Sequence, residues 1–246
     1  MVDNKTLSKY CSDYLKVDQF NDYSPNGLQI EGCRNISKII AGVSANIDLI
    51  EKAIEQKADA LFVHHGFFWK NEEPSIIGIK RNRIALIIEH NINLFGYHLP
   101  LDAHPVVGNN AQLAEVLNIE NPEPISDTLV WTGHVNSTLQ DLSELVDSKL
   151  DRKPLVIGEK SSQIRKVAWC TGAAQDMIEV AIDIGADVFI TGEVSEKIPA
   201  IAKENKIAFI SAGHHATERY GVQALCRHLS DKFELEYSFI DIDNTV

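Results

Sequence analysis

Apolar positions along this chain change their period repeatedly, and the changes mark out its elements. Leu7, Tyr10, Cys11, Tyr14 and Leu15 recur at helical spacing, and the run ends at Asp22 in DYSPNGLQIEG, a turn-rich loop built on Pro25, Asn26 and Gly27. KIIAGVSA (38–45) is β-branched and apolar, Ile47, Ile50 and Ile54 return to helical spacing, and ALFVHHG (60–66) is apolar again. RNRIALIIEHN predicts a helix with Ile84, Ile87 and Ile88 on one face, NLFGYHL (93–99) a strand, and NNAQLAEVLNI (109–119) a helix that closes the first part. Strands alternating with helices of this length predict an α/β fold whose mainly parallel sheets are covered by helices on both faces.

The second part follows the same order. After a quieter stretch in which NPEPISD reads as a linker, TLVWTGHV and PLVIGE predict strands around a capped helix, STLQDLSELVDSKL. KVAWCTG, QDMIEVAIDIGAD, VFITGE, IPAIAKENK, IAFISAG and a helix starting near His214 then alternate as before, and LEYSFIDI (235–242) predicts a closing strand. Sliding the chain on itself tests whether the two parts are copies. Ile50 meets Ile178, Ala53 meets Ala181, Ala58-Asp59 meets Ala186-Asp187, and His64-His65 meets Gly192-Glu193, all at an offset of 128. An offset of 116 further on sets His98 on His214 and Asp102 on Glu218, with extra loop around NEEPSIIGIKRNR in the first part. Two similar αβ domains from an internal duplication are expected, 1–125 and 126–246, unless the chain crosses between them.

Composition narrows the function. With 246 residues, 44% hydrophobic and 24% charged, the chain has enough apolar matter for a large core, which excludes disorder as its main state. Lys plus Arg number 23 against 35 Asp plus Glu, and a net charge of −12 repels a phosphate backbone, so generic nucleic-acid or membrane-surface binding is not expected. The cysteines at 11, 33, 170 and 226 form no C-x-x-C pair, no cationic-then-apolar signal opens the chain, and no apolar run reaches the roughly 18–20 residues of a membrane span. A soluble, cytoplasmic protein with reduced thiols is the expectation.

Five of the nine histidines fall in three short motifs: VHHG (His64, His65), HLPLD (His98, Asp102) and GHHATE (His214, His215, Glu218). Each motif follows a predicted strand, and ligands of open αβ sheets gather at the carboxyl ends of strands. Neighbouring side chains of extended chain point to opposite sides, so His64 and His65 suit two adjacent ions better than one. His214 and Glu218 stand four apart at a helix start, hence on one face; His98 and Asp102 share the spacing, with Pro100 between them. Taken singly, each motif has a plainer reading: a packed histidine, a helix cap, a turn aspartate. Three together, two of them at equivalent places, point to a metal site. His90, His104, His134, His228 and the cysteines read as surface or packing residues.

A donor set of nitrogen and oxygen without thiolate excludes a zinc ribbon or an iron–sulfur cluster and suits Zn, Mn, Fe, Co or Ni. Two such ions roughly 3.5–4 Å apart hold a hydroxide at neutral pH and bind an anionic oxygen opposite it, which is hydrolytic chemistry. Concentrated positive charge at the metals also lets an acidic protein bind a small anionic, phosphate-bearing substrate.

At VHHG, HLPLDAH, GNNAQL, TGEVSE and GHHATERYG the sequence resembles the NIF-three-like family, also called GTP cyclohydrolase 1 type 2 homologs, and within it the bacterial YbgI type. The resemblance runs from SPNGLQ (24–29) to FIDI (239–242). It implies two similar αβ domains, two metal ions per chain and a toroidal homohexamer. It also implies His64, His65, Asp102, His214 and Glu218 as ligands, with Glu218 bridging, His65 and Asp102 on one ion, and His64 and His214 on the other. His98 is then a further ligand or orients one. Many relatives have HHP and HTxxD where this chain has Gly66 and Leu99, and WDNxGLQ in place of SPNGLQ; the larger inserted domain of some is absent.

The expected function is a metal-dependent hydrolase, of cyclohydrolase or phosphoesterase type, acting on a nucleotide-like or phosphorylated small molecule. His98, Glu193 and His215 are the candidate proton carriers, and Asn26, Asn109 and Arg219 the candidate substrate contacts. The competing readings are a non-catalytic metal-binding ring that serves regulation or interaction, and a role in metal handling.

Overall fold

The computed structural model describes residues 1–246, which divide into two compact units: Met1–Gly108 with Gly221–Asp243, and Asn109–Tyr220 with Asn244–Val246. The first opens with β1 (Val2–Asp3) and α1 (Asn4–Leu15). The Asp3 carboxylate accepts from the N–H groups of Lys5 and Thr6 and so caps the helix, which buries Leu7, Cys11 and Leu15. There follow β2 (Gly27–Ile30), β3 (Asn35–Ile36), β4 (Lys38–Ser44), α2 (Ile47–Glu55), β5 (Ala60–His65), α3 (Gly78–Glu89), β6 (Asn93–Gly96) and α4 (Leu99–Ala103). The chain returns to this unit through α10 (Arg219–Phe233) and β13 (Glu236–Phe239). Its main sheet has the order β13-β4-β5-β6-β2, parallel except where β2 meets β6. The inner strands β4, β5 and β6 are apolar almost throughout because helices cover both faces.

The second unit comprises α5 (Asn109–Val116), β7 (Glu120–Pro124), β8 (Trp131–Thr138), α6 (Leu139–Leu150), β9 (Leu155–Ile157), β10 (Gln163–Trp169), α7 (Ile178–Asp183), β11 (Val188–Thr191), α8 (Ile198–Asn205), β12 (Ala208–Ser211) and α9 (His214–Thr217). Its sheet runs β7-β8-β10-β11-β12-β9. Only β10-β11 and β11-β12 are parallel; the other three pairs are antiparallel, so this sheet is mixed rather than mainly parallel.

Several sequence expectations shift. The division falls at 108/109 and again at 220/221, not at 125/126, so α5 opens the second unit instead of closing the first. NPEP is not linker but part of β7, and its prolines are tolerated because β7 is an edge strand. The closing strand LEYSFIDI pairs with β4 and completes the first sheet. Ile84 and Ile87 face the core, whereas Ile88 is exposed, having passed beyond the width of the buried stripe. The strand expected over 93–99 stops at Gly96, where the chain turns toward α4.

One hydrogen-bond pattern occurs in both units. The Asp59 carboxylate accepts from the N–H groups of Ser37 (2.8 Å) and Lys38 (2.9 Å), and that of Asp187 from Arg165 and Lys166 (both 2.8 Å). The 128-residue offset therefore joins donors as well as acceptors. Past the strands each unit also opens a short helix, in which Asp102 N–H donates to the His98 carbonyl and Thr217 N–H to that of Gly213. Replacing Asp187 with alanine strands two amide donors and is expected to cost about 1–3 kcal/mol, read from the urea midpoint.

Candidate metal centre

In the first unit the imidazoles stand where buried strands run out. Hydrogen bonding to β4 and β6 pins β5, and its last two residues are His64 and His65. His64 is completely buried, and its Nδ1 lies 2.9 Å from the Tyr97 carbonyl oxygen. A carbonyl only accepts, so the proton sits on Nδ1 and Nε2 carries the lone pair that a metal would use. That Nε2 faces Asp102 Oδ1 at 3.4 Å. His65 Nδ1 lies 3.0 Å from Ser44 Oγ at the end of β4. The rings of His64 and His65 are 4.7 Å apart, although both residues belong to β5.

His98 joins them from the end of β6. Its Nδ1 is 2.9 Å from Asp22 Oδ1, and Asp22 Oδ2 accepts from Leu99 N–H and the Asn26 amide, both at 2.9 Å. Burial alone would raise the Asp22 pKa, but the hydrogen bonds from His98, Asn26 and Ser24 outweigh it and hold the group at about 2. Asp22 is thus a fixed carboxylate that orients His98. The ligand atoms offered by His64, His65 and His98 all lie within 4.8 Å of one another, a spacing one cation can bridge.

Gln29 holds both loops of this site. Its Oε1 accepts from Phe67 N–H and its Nε2 donates to the Pro25 carbonyl, both at 2.8 Å. The amide fills space that only glycine leaves: a Cβ on Gly66 would stand 2.1 Å from Gln29 Oε1, and one on Gly96 2.6 Å from Nε2. The Gly after the double histidine and the Gln of SPNGLQ are therefore one packing device.

In the second unit His214 lies between two carboxylates, with Nδ1 2.6 Å from Glu193 Oε1 and Nε2 3.1 Å from Glu218 Oε2. Burial by itself lowers the His214 pKa, but the bonds to Glu218 and then Glu193 overcome it and lift the pKa to about 9. Glu218 is buried, and its carboxylate lies over Gly172, where a Cβ would come within 2.1 Å of Oε1. Gly172 N–H donates to Thr217 Oγ1, which ties the β10 loop to α9. A histidine whose folded pKa is raised adds stability that is complete below its unfolded pKa and disappears as pH rises through the folded one. In chelator-treated protein the melting temperature is expected to fall between pH about 6.5 and about 9, and Glu193→Gln to flatten that slope in differential scanning fluorimetry.

The other expected site residues have mixed placements. His215 is buried at the start of α9, with its N–H donating to the Val246 carbonyl. Asn26 commits its amide to the loop: Oδ1 accepts from His98 N–H at 2.7 Å and Nδ2 donates to Asp22 and to the Ser24 carbonyl. Through these bonds it positions His98. Asn109 is buried at the first residue of α5, and Arg219 donates to the Leu150 carbonyl. His104 and His228 pack on Tyr14, and Tyr10 Oη lies 2.6 Å from His228 Nε2, as the packing reading expects. Asp22, Gln29, Ser44 and Gly172 were not anticipated. Asp22, which opens an Asx-type turn, and Gln29 of SPNGLQ stand in recognisable motifs, but nothing local in the sequence shows what they bond.

Both donor sets belong to a chain whose residues 2–245 match the model of the family described as Duf34/NIF3 (NGG1p interacting factor 3). The chain belongs to the Duf34/NIF3 family. A relative from Neisseria meningitidis serogroup B, named GTP cyclohydrolase 1 type 2 homolog, is 49% identical over 247 residues, 99% of either chain. The solved structure titled protein ybgI, unknown function, matches over 100% of both chains at 43% identity with a TM-score of 0.95. That of TTHA1606 from Thermus thermophilus matches over 100% of both at 34% identity with a TM-score of 0.92. Within this Duf34/NIF3 chain, clustered His and acidic residues that could bind a metal ion are the dominant chemical feature, and no helix is long and apolar enough to cross a membrane.

Proposed function

We propose that this Duf34/NIF3 protein is a metal-dependent hydrolase of nucleotide-like or phosphorylated small molecules. In this reading His64, His65, Asp102, His214 and Glu218 hold two divalent transition-metal ions per chain. The observation that carries it is the state of the donors. His64 and Glu218 are buried, His64 has its proton fixed on Nδ1 by Tyr97, and the glycine at 172 leaves room for the Glu218 carboxylate that any side chain would fill. Buried imidazole and carboxylate donors of this kind suit Zn, Mn, Fe, Co or Ni, the ligand atoms being nitrogen and oxygen.

Bound there, the ions would supply Lewis acidity toward a phosphoryl or carbonyl oxygen and acidify water. The chain's own groups do the rest. Tyr97 and Ser44 orient His64 and His65, Asp22 orients His98, and Glu193 holds a proton at His214 Nδ1 so that Nε2 is the nitrogen turned to Glu218. His98 and His215 are the proposed proton carriers. The repeated Asp59 and Asp187 pattern supports an internal duplication, with a donor set at the carboxyl end of strands in each unit. The toroidal homohexamer is part of the same proposal and is checked by light scattering.

The test joins metal analysis to a panel of nucleotides, cyclic nucleotides and phosphoesters under several metals. Close to two ions per chain and turnover of at least one substrate are expected. Metal-loaded protein that turns over nothing would replace this reading with that of a non-catalytic metal-binding module.

A further inference from the structure

Next to the imidazoles of the first unit two aromatic rings reach the solvent. Tyr23 is 52% exposed, and Trp69 is half-buried. Both meet the His98 ring edge-on, Tyr23 at 4.9 Å and 73° and Trp69 at 5.1 Å and 84°, and Trp69 lies 5.9 Å from the His65 ring. The two aromatic rings themselves are 5.7 Å apart and inclined by only 34°.

Their loops are built to hold them. Lys70 N–H donates to the Tyr23 carbonyl at 2.8 Å, which joins the loop of Tyr23 to that of Trp69. Glu72 N–H donates to the Trp69 carbonyl at 2.9 Å, Phe68 N–H to the Glu72 carboxylate at 3.2 Å, and Phe67 N–H to Gln29. Phe68 takes a φ of 67°, a left-handed conformation costly for a bulky residue, within this bonded turn. Support of His98 alone does not require these rings, because Asp22 already fixes its Nδ1 and Asn26 its backbone N–H. An aromatic ring that is only scaffolding is normally buried, and half of Tyr23 is left to solvent beside the candidate ligands.

We propose that Tyr23 and Trp69 form a stacking platform for a flat heteroaromatic ring of the substrate, so that the substrate class is nucleotides rather than simple phosphoesters. The inference rests on the metal reading above, since the platform adjoins His65 and His98. Every nucleobase has a π-face that stacks on aromatic side chains with an effect of roughly tenfold or more in affinity for each base, and a sugar phosphate has none.

The experiment compares guanosine 5′-monophosphate with ribose 5-phosphate, probes that share phosphate and sugar and differ in the base. Binding to the intact protein is measured by calorimetry, and also by fluorescence, because Trp131 and Trp169 are buried and Trp69 is the tryptophan accessible to quenching. The native protein is expected to bind the nucleotide at least about tenfold more tightly and to lose Trp69 emission on doing so. The double variant Tyr23→Leu/Trp69→Leu should bind both probes alike, at the affinity of ribose 5-phosphate, with metal content unchanged. Tyr23→Phe/Trp69→Phe should restore the preference. Equal affinity of the native protein for the two probes, or an equal loss of both in the leucine variant, would overturn the platform. Native protein that keeps the nucleotide preference yet carries no metal would instead sink the hydrolase reading and leave the platform standing.

Discussion

Exchanging His64 for asparagine and Glu218 for glutamine together is expected to take the purified protein from about two metal ions per chain to nearly none while far-UV circular dichroism stays unchanged. The choice of substitutes follows from the bonds that must survive. An asparagine amide can still donate toward the Tyr97 carbonyl that His64 engages at 2.9 Å, and glutamine keeps the volume of Glu218 over Gly172. What each change removes is donor strength: an amide is a poor ligand for a transition metal beside imidazole or carboxylate. Loss of a partner that merely orients a ligand costs about 10–100-fold in metal affinity, so loss of two ligands should exceed that range. Mass spectrometry of the metal content reads the result, and any turnover found for the native protein should fall at least about 100-fold. A variant that keeps two ions per chain would show that these side chains hold no metal.

Gly172→Ala should be nearly as damaging, though it touches no candidate ligand chemically. Gly172 has a φ of 72°, and its Cβ would stand 2.1 Å from Glu218 Oε1 and 3.3 Å from His214 Nε2. The left-handed conformation costs an L-residue about 1–2 kcal/mol, and the clash comes in addition unless the Glu218 carboxylate moves. A loss of about 2 kcal/mol corresponds to a melting temperature lower by roughly 4–8 °C for a chain of this size. Because the displaced atom is the carboxylate oxygen itself, metal content should fall as well. Gly185→Ala is the control: its φ of 66° is similar, but a Cβ there meets no atom within 4 Å. Equal effects at both positions would mean that backbone strain alone explains the result and that Gly172 does not shape the site.

The sequence made the element order legible wherever period and burial agree. α2 and β5 fall within a residue of their expected bounds, because Asn46 caps the one and the VHHG turn ends the other. The histidine motifs were legible because imidazole is uncommon and its clustering needs a reason. Three things were hidden. The edge strand β7 carries Pro122 and Pro124, which read as linker until its position at the margin of the sheet is known. The pairing of β13 with β4 joins residues far apart in sequence, and no local pattern encodes it. Asp22 and Gln29 act by filling and bonding positions set by other loops, so their roles exist only in three dimensions.

The discontinuity of the first unit bears on how the chain matures. β4 pairs on one side with β13, Ile39 against Tyr237, and the intervening 40–236 includes the whole run of strands that builds the second sheet. At ordinary ribosomal speeds of about 5–20 residues per second, roughly ten to forty seconds separate the emergence of β4 from that of its neighbour. Through that interval an apolar strand margin lies open to pairing with foreign chain, whereas residues 120–211 carry every strand of the other sheet without interruption. The half of the molecule made first is therefore the half finished last.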